Sequence, residues 1–238
     1  LRREYSSRLA AAVEAQQVFT SALSAVPPVV TSFSPGPFSQ SLRQIARIIA
    51  AREELQATRQ TFFITVGGWD HHDNVLDNQA AMLPAISAGL VEFRDALVEL
   101  GMLQQVATFT ISDFGRTLTS NGKGSDHGWG GHHIVMGGGL QGGRLHGDYP
   151  LIQLASPLDM GRGRYAPTTA VDQYFAELAL WFGVSPGDLS TVLPRLNPLR
   201  PVVTVWNGEK LLGIVPPKKL QARLEEAQRR IHPGHAGV

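Results

Sequence analysis

Cysteine is absent from this chain. Its absence excludes disulfides, thiolate metal sites and cysteine nucleophiles, so a transition-type metal here has to rely on imidazole and carboxylate ligands. A charge excess is missing too: 21 Lys and Arg stand against 20 Asp and Glu, a formal net charge of +1. That balance supplies no basic field of the kind nucleic acids or anionic membranes attract, and neither is expected as a partner. No apolar run approaches the roughly 20 residues that a membrane-spanning helix needs. The opening LRREYSSRLAAAVEAQ has the pattern of an amphipathic helix, not the apolar core of a signal peptide. Gly137-Gly138-Gly139 and Gly142-Gly143 match neither a Walker loop nor a dinucleotide fingerprint. Ser112, Thr117, Thr119 and Ser125 lie outside any strained-elbow context that would make a hydroxyl nucleophile.

With 238 residues, 43% of them hydrophobic, the chain can bury a sizeable core without covalent staples. Helical spacing of apolar residues predicts a first helix to about Leu23, a break at Pro27-Pro28 and the SPGP stretch, and a second helix over 39–58. The run Thr61-Phe62-Phe63-Ile64-Thr65-Val66, stopped by Gly67-Gly68, reads as a buried parallel strand feeding a loop. Leu83, Ile86, Leu90, Phe93, Leu97 and Leu100 recur at alternating steps of three and four, which predicts a long helix ending near Gly101. A second strand over 106–111 completes a βαβ pattern and with it parallel pairing. His132-His133-Ile134-Val135-Met136 reads as a third strand. Thr168 or Thr169 can cap a helix from about Ala170 to Gly183. The expected fold is therefore α/β, a mostly parallel sheet flanked by helices over 1–200. A strong Asn207-Gly208 hairpin and a charged helix over 218–231 form an appendage over 201–238.

Chemistry-bearing residues cluster. Six of the eight histidines fall between positions 71 and 146, interleaved with Asp70, Asp73, Asp113, Asp126 and Asp148 in glycine-rich loops. In open parallel sheets ligands sit beyond the carboxyl ends of the strands, so Asp70 and Asp113, each following a predicted strand, are expected on one edge. The candidate divalent-metal centre comprises Asp70, His72, Asp113, Asp126 and His127. A carboxylate and imidazole mix favours zinc or manganese over magnesium and calcium, which would leave the histidines redundant. The competing reading takes the strand-end aspartates as helix caps or turn closers, the better account of Asp73, Asn74 and Asp77. It also takes His71, His132 and His133 as partly buried residues with backbone partners. Arg116 offers a bidentate fork for a phosphate, sulfate or carboxylate, and equally reads as a solvated arginine. Trp129, among glycines, is placed to wall a pocket or simply to pack.

Taken together, GGWDHH, TISDFGRT, GSDHGWGGHHIVMGG, GDYP and GRGRYAPTTAVDQYFAELALWFGV resemble the bacterial family known as domain of unknown function 1501, over about 61–193. That family looks like a branch of the alkaline phosphatase and sulfatase superfamily, and the resemblance implies an alkaline phosphatase-like sheet and hydrolysis of phosphate or sulfate esters at paired metals. Carried over, Asp70, His72 and His127 resemble one metal site, and Asp113 the aspartate of a second. Phe114 stands where a further histidine is usual, and His132 or His133 is placed to substitute. The superfamily's nucleophile comes from an early strand that nothing before Thr61 resembles. With Leu1 as first residue, the chain is thus expected to correspond to the carboxyl-terminal half of a longer, exported and hence periplasmic or otherwise extracytoplasmic protein.

The function expected is a metal-dependent hydrolase acting on a small anionic ester, with Arg116 steadying the anion and a protein partner supplying the early segment or contacting the tail. The alternative is an inactive binding or structural subunit of an extracytoplasmic assembly that retains the fold. A third class, a sugar or anion binder using Arg116 and Trp129, needs no metal.

Overall fold

A computed structural model describes residues 2–140, 142–153 and 156–196, and the hairpin and helix expected over 201–238 lie outside them. The described residues divide into two units, one of residues 2–107 with 120–125, and one of residues 108–119 with those described from 126 to 196.

Helices dominate the first unit. They comprise α1 (Arg2–Ala25), α2 (Pro37–Ala50) and α3 (Val75–Glu99). Proline at the first turn of α2 fixes a φ suited to helix and omits a donor that would be unpaired there anyway. The α2 residues Leu42, Ala46 and Ile49 recur at steps of four and three and are buried, as are Phe93, Ala96 and Leu97 of α3. These two stripes pack on each other and form the core of the unit. Two carboxylates on α3, seven residues and so two turns apart, tie down the segment before α2. Glu99 accepts hydrogen bonds from the Val30 and Thr31 amides at 2.8 Å and from the Thr31 hydroxyl. Glu92 accepts from the Ser34 amide and hydroxyl. The Thr31 and Ser34 hydroxyl bonds are the main reason that both carboxyls are held below their ordinary range.

The second unit carries short strands. β1 (Ala107–Phe109) pairs with β4 (Val135–Gly137), and β2 (Gly115–Ser120) with β3 (Ser125–Gly128). α4 (Val171–Phe182) and α5 (Leu189–Val192) follow. The α4 start is Ala170, whose amide donates to Gln173 Oε1 at 2.8 Å, so neither Thr168 nor Thr169 is the cap. Gln173, Ala176 and Leu178 supply its buried face.

The expected mostly parallel, alkaline phosphatase-like sheet is corrected by this arrangement. Among the described residues the sheets are two antiparallel pairs in a helix-rich chain. The run 61–66 forms no strand, with Phe62 40% and Phe63 77% exposed. Only three of the residues expected in the second strand pair, and they do so with β4. β-Branched and aromatic content marks a segment able to line a pleated surface, but a strand exists only where a neighbouring edge takes its amides and carbonyls. The helix between the two runs is real, so a helix flanked by apolar runs mimicked a βαβ unit. With the parallel sheet goes the strand-edge argument for pairing Asp70 with Asp113. No helix among the described residues is long and apolar enough to cross a membrane.

Candidate metal centre

The loop before α3 presents the acidic and histidine-rich motif of the first unit. Two tight turns coil it, with the His71 amide bonded to the Trp69 carbonyl at 2.9 Å and the His72 amide to the Asp70 carbonyl at 3.1 Å. Such i to i+2 closures set residues 70 and 72 on the same side, and Asp70 Oδ1 lies 3.0 Å from His72 Nε2. Both side chains are about half exposed, 57% and 50%. Between them His71 turns inward and is only 6% exposed. Its ring centroid lies 6.1 Å from that of Trp69, and its Nδ1 is buried without a hydrogen-bond partner. The backbone partner expected for a buried histidine is therefore missing at that nitrogen.

A second segment of the same unit grips this loop. Residues 120–125 form a tight turn in which Asn121 Oδ1 accepts from the Lys123 and Gly124 amides at 3.1 and 2.8 Å. The other end of the same side chain, Nδ2, donates to the His72 carbonyl at 2.9 Å. Gly124 lies so close beneath that carbonyl that a Cβ there would stand 2.7 Å from the His72 oxygen.

The remaining candidates belong to the second unit. Asp113 is exposed in the turn after β1, where the Ser112 hydroxyl donates to the Phe114 carbonyl at 2.9 Å. The His127 ring stacks on Phe114 with centroids 3.9 Å apart and planes 5° from parallel, and the Arg116 guanidinium lies 5.1 Å over the Phe114 ring. Asp126 is engaged by Arg162 in an ion pair of 2.5 Å. His132 stacks on Tyr149 at 5.3 Å. His133 stacks on Tyr174 at 6.0 Å, with its Nδ1 3.5 Å from the Thr110 hydroxyl. Burial, with the neighbouring His132 charge second, pushes the His133 pKa down, and burial pushes the Tyr174 hydroxyl up. Of the candidate ligands, Asp70 and His72 belong to the first unit and lie together there, and Asp113, Asp126, His127 and His132 belong to the second.

Three residues that contribute here were not singled out from the sequence. Asn121, followed by Gly122, carried an Asn-Gly turn signal in the sequence, and Gly124 carried only its place in a glycine-rich stretch. Arg162, flanked by glycines in GRGR, adopts a φ of +59°, and glycine on both sides of an arginine was the available signal of a turn.

The donor chemistry of the Asp70–His72 pair fits a metal. At metal–ligand lengths of about 2.0–2.2 Å and tetrahedral angles, two donors on one zinc stand roughly 3.3 Å apart. The observed 3.0 Å needs an adjustment of a few tenths of an ångström. Zinc or manganese would be held here by the Asp70 carboxylate and the His72 imidazole.

A protein-family model described as "Protein of unknown function (DUF1501)" matches residues 8–189. Neither the curated proteins nor the solved structures hold a match.

Proposed function

We propose, from the premise that the chain belongs to the DUF1501 family, that it is a metal-dependent hydrolase of phosphate or sulfate esters with Asp70 and His72 as ligands. The observation that carries this reading is the exposed carboxylate and imidazole 3.0 Å apart on a loop fastened at its backbone. The superfamily resemblance alone names His127 and Asp113 as further ligand candidates. Asp70 and His72 would hold the divalent cation, which would supply Lewis acidity toward the ester oxygen. Arg116 has the fork geometry to receive the anion, and its position over Phe114 steadies the guanidinium. Asp126 is withdrawn from the ligand set in this proposal because its carboxylate neutralises Arg162. Export to an extracytoplasmic compartment remains part of the proposal, on the resemblance alone.

The test is a screen of aryl phosphate and aryl sulfate esters with the protein as purified, after EDTA treatment, and after restoring Zn²⁺ or Mn²⁺. The proposal expects turnover abolished by chelation, restored by one of the metals and lost in His72→Ala. Turnover that survives chelation, or none with stoichiometric metal bound, contradicts it.

A second reading, an inactive subunit that keeps the fold, is favoured by one observation. The Phe114 ring lies face to face with His127 at 3.9 Å, at the sequence position where the resemblance calls for another ligand. Metal-loaded protein that is inert toward every ester would favour this reading.

A further inference from the structure

We propose that Asn121 is a positioning residue for the metal pair, holding the His72 main chain at the distance from Asp70 that shared coordination needs. The inference rests on the metal reading above and goes beyond it by assigning a residue that is neither a ligand nor in contact with substrate.

The argument begins with the loop. Residues 69–73 belong to no helix or strand, so their geometry has to be fixed by contacts other than a ladder. Three are visible. The two i to i+2 closures coil the loop locally. His71 plants a buried ring between the two exposed donors. Asn121 Nδ2 then holds the His72 carbonyl at 2.9 Å, a hydrogen bond that arrives from a distant part of the sequence. That amide is itself held, because Asn121 Oδ1 accepts two backbone amides of its own turn. A side chain locked at one end and donating at the other transmits position with little slack. Gly124 completes the grip: a side chain at that position would overlap the His72 carbonyl, so the turn sits against the loop at backbone contact. Metal sites need their ligands within about 0.5 Å of productive geometry, and outer partners that orient ligands are worth 10–100-fold in metal affinity.

The experiment measures Zn²⁺ affinity by competition with a chromophoric chelator for the whole chain, alongside urea denaturation. Asn121→Asp keeps an acceptor oxygen to close the turn and replaces the donor to His72 with a carboxylate oxygen that the His72 carbonyl repels. Its added negative charge would by itself attract Zn²⁺, so a loss of affinity reports position and not charge. Asn121→Ala removes both functions. The expected result is a 10–100-fold weaker Kd for Asn121→Asp with an unfolding midpoint close to the parent, and a similar loss with lower stability for Asn121→Ala. Parent protein that binds Zn²⁺ while Asn121→Asp binds it equally well overturns the positioning role and leaves the metal reading standing. A parent that binds no Zn²⁺ overturns the metal reading, and this inference with it.

Discussion

Replacing Gly163 by alanine, with Gly161→Ala as its control, measures how the turn after Asp159 is fastened to β2. Gly161, Arg162 and Gly163 have φ values of +96°, +59° and +69°. Asp159 Oδ1 gathers the Gly161 and Gly163 amides at 2.9 and 3.0 Å. Both alanine variants therefore carry the left-handed cost of an L-residue, about 1–2 kcal/mol. What differs is the space. At Gly161 the nearest atom to a new Cβ is a terminal nitrogen of Arg164, 3.7 Å away, whereas at Gly163 it is the Thr119 amide nitrogen at 2.7 Å. The obstacle is strand backbone, which no rotamer change can move. The Leu118 amide also bonds the Gly163 carbonyl at 2.9 Å, so displacement costs that bond as well. Overpacking of this kind adds about 1–3 kcal/mol. We expect Gly161→Ala to cost about 1–2 kcal/mol and Gly163→Ala about 2–5 kcal/mol. In a chain of this length each kcal/mol lowers Tm by roughly 2–4 °C. Urea unfolding followed by tryptophan fluorescence, with Tm from the same variants, gives both numbers. Equal destabilisation by the two substitutions would refute the claim that this turn is seated against β2.

Arg162→Gly relieves the left-handed arginine, about 1 kcal/mol, and removes an exposed ion pair worth about 0–1 kcal/mol. Urea midpoints should therefore be unchanged or slightly raised. Glu99→Gln weakens three hydrogen bonds to an exposed carboxylate and should cost about 1 kcal/mol after discounting for solvent, read by the same assay. Because Glu92 and Glu99 are held below the ordinary carboxyl value of 4.5, the stability they contribute is present above that pH and is lost as pH falls through the folded pKa values. Glu99→Gln should flatten that acid limb. His133 is depressed below 6.5, so its neutral form is the folded one, and its contribution fades as pH drops below that value. Proton NMR of the imidazole should show it titrating below the ordinary histidine value of 6.5.

Helices were the legible part of this fold. Leu83 to Leu100 gave a clear three-and-four rhythm, and α3 spans it, because a helix satisfies its own backbone and its pattern is local. Two of the three expected strands formed in part, as β1 and β4, but their pairing was not legible, because pairing is a property of two segments. Thr61 to Val66 carried every compositional mark of a strand and has none of the pairing. Conversely, the glycine-rich stretch around Asn121 read as loop and holds a hairpin, β2 and β3. Its Asn-Gly signal was present but flanked by polar residues instead of the alternating apolar ones that usually announce a hairpin. The closeness of Asp70 and His72 was legible because i and i+2 spacing in a tight turn is short-range geometry. The roles of Asn121 and Gly124 depend on a contact 49 residues away in sequence, and that of Asp126 on Arg162, 36 residues away.

The central claim is that Asp70 and His72 hold a divalent metal. The most direct measurement is elemental mass spectrometry on protein purified without chelator or nickel affinity steps, comparing the parent with Asp70→Asn and His72→Ala. The account predicts near-stoichiometric zinc or manganese in the parent and its loss from both variants, with folding intact by circular dichroism. A folded parent that carries neither metal, or variants that retain the parent's full content, would contradict it.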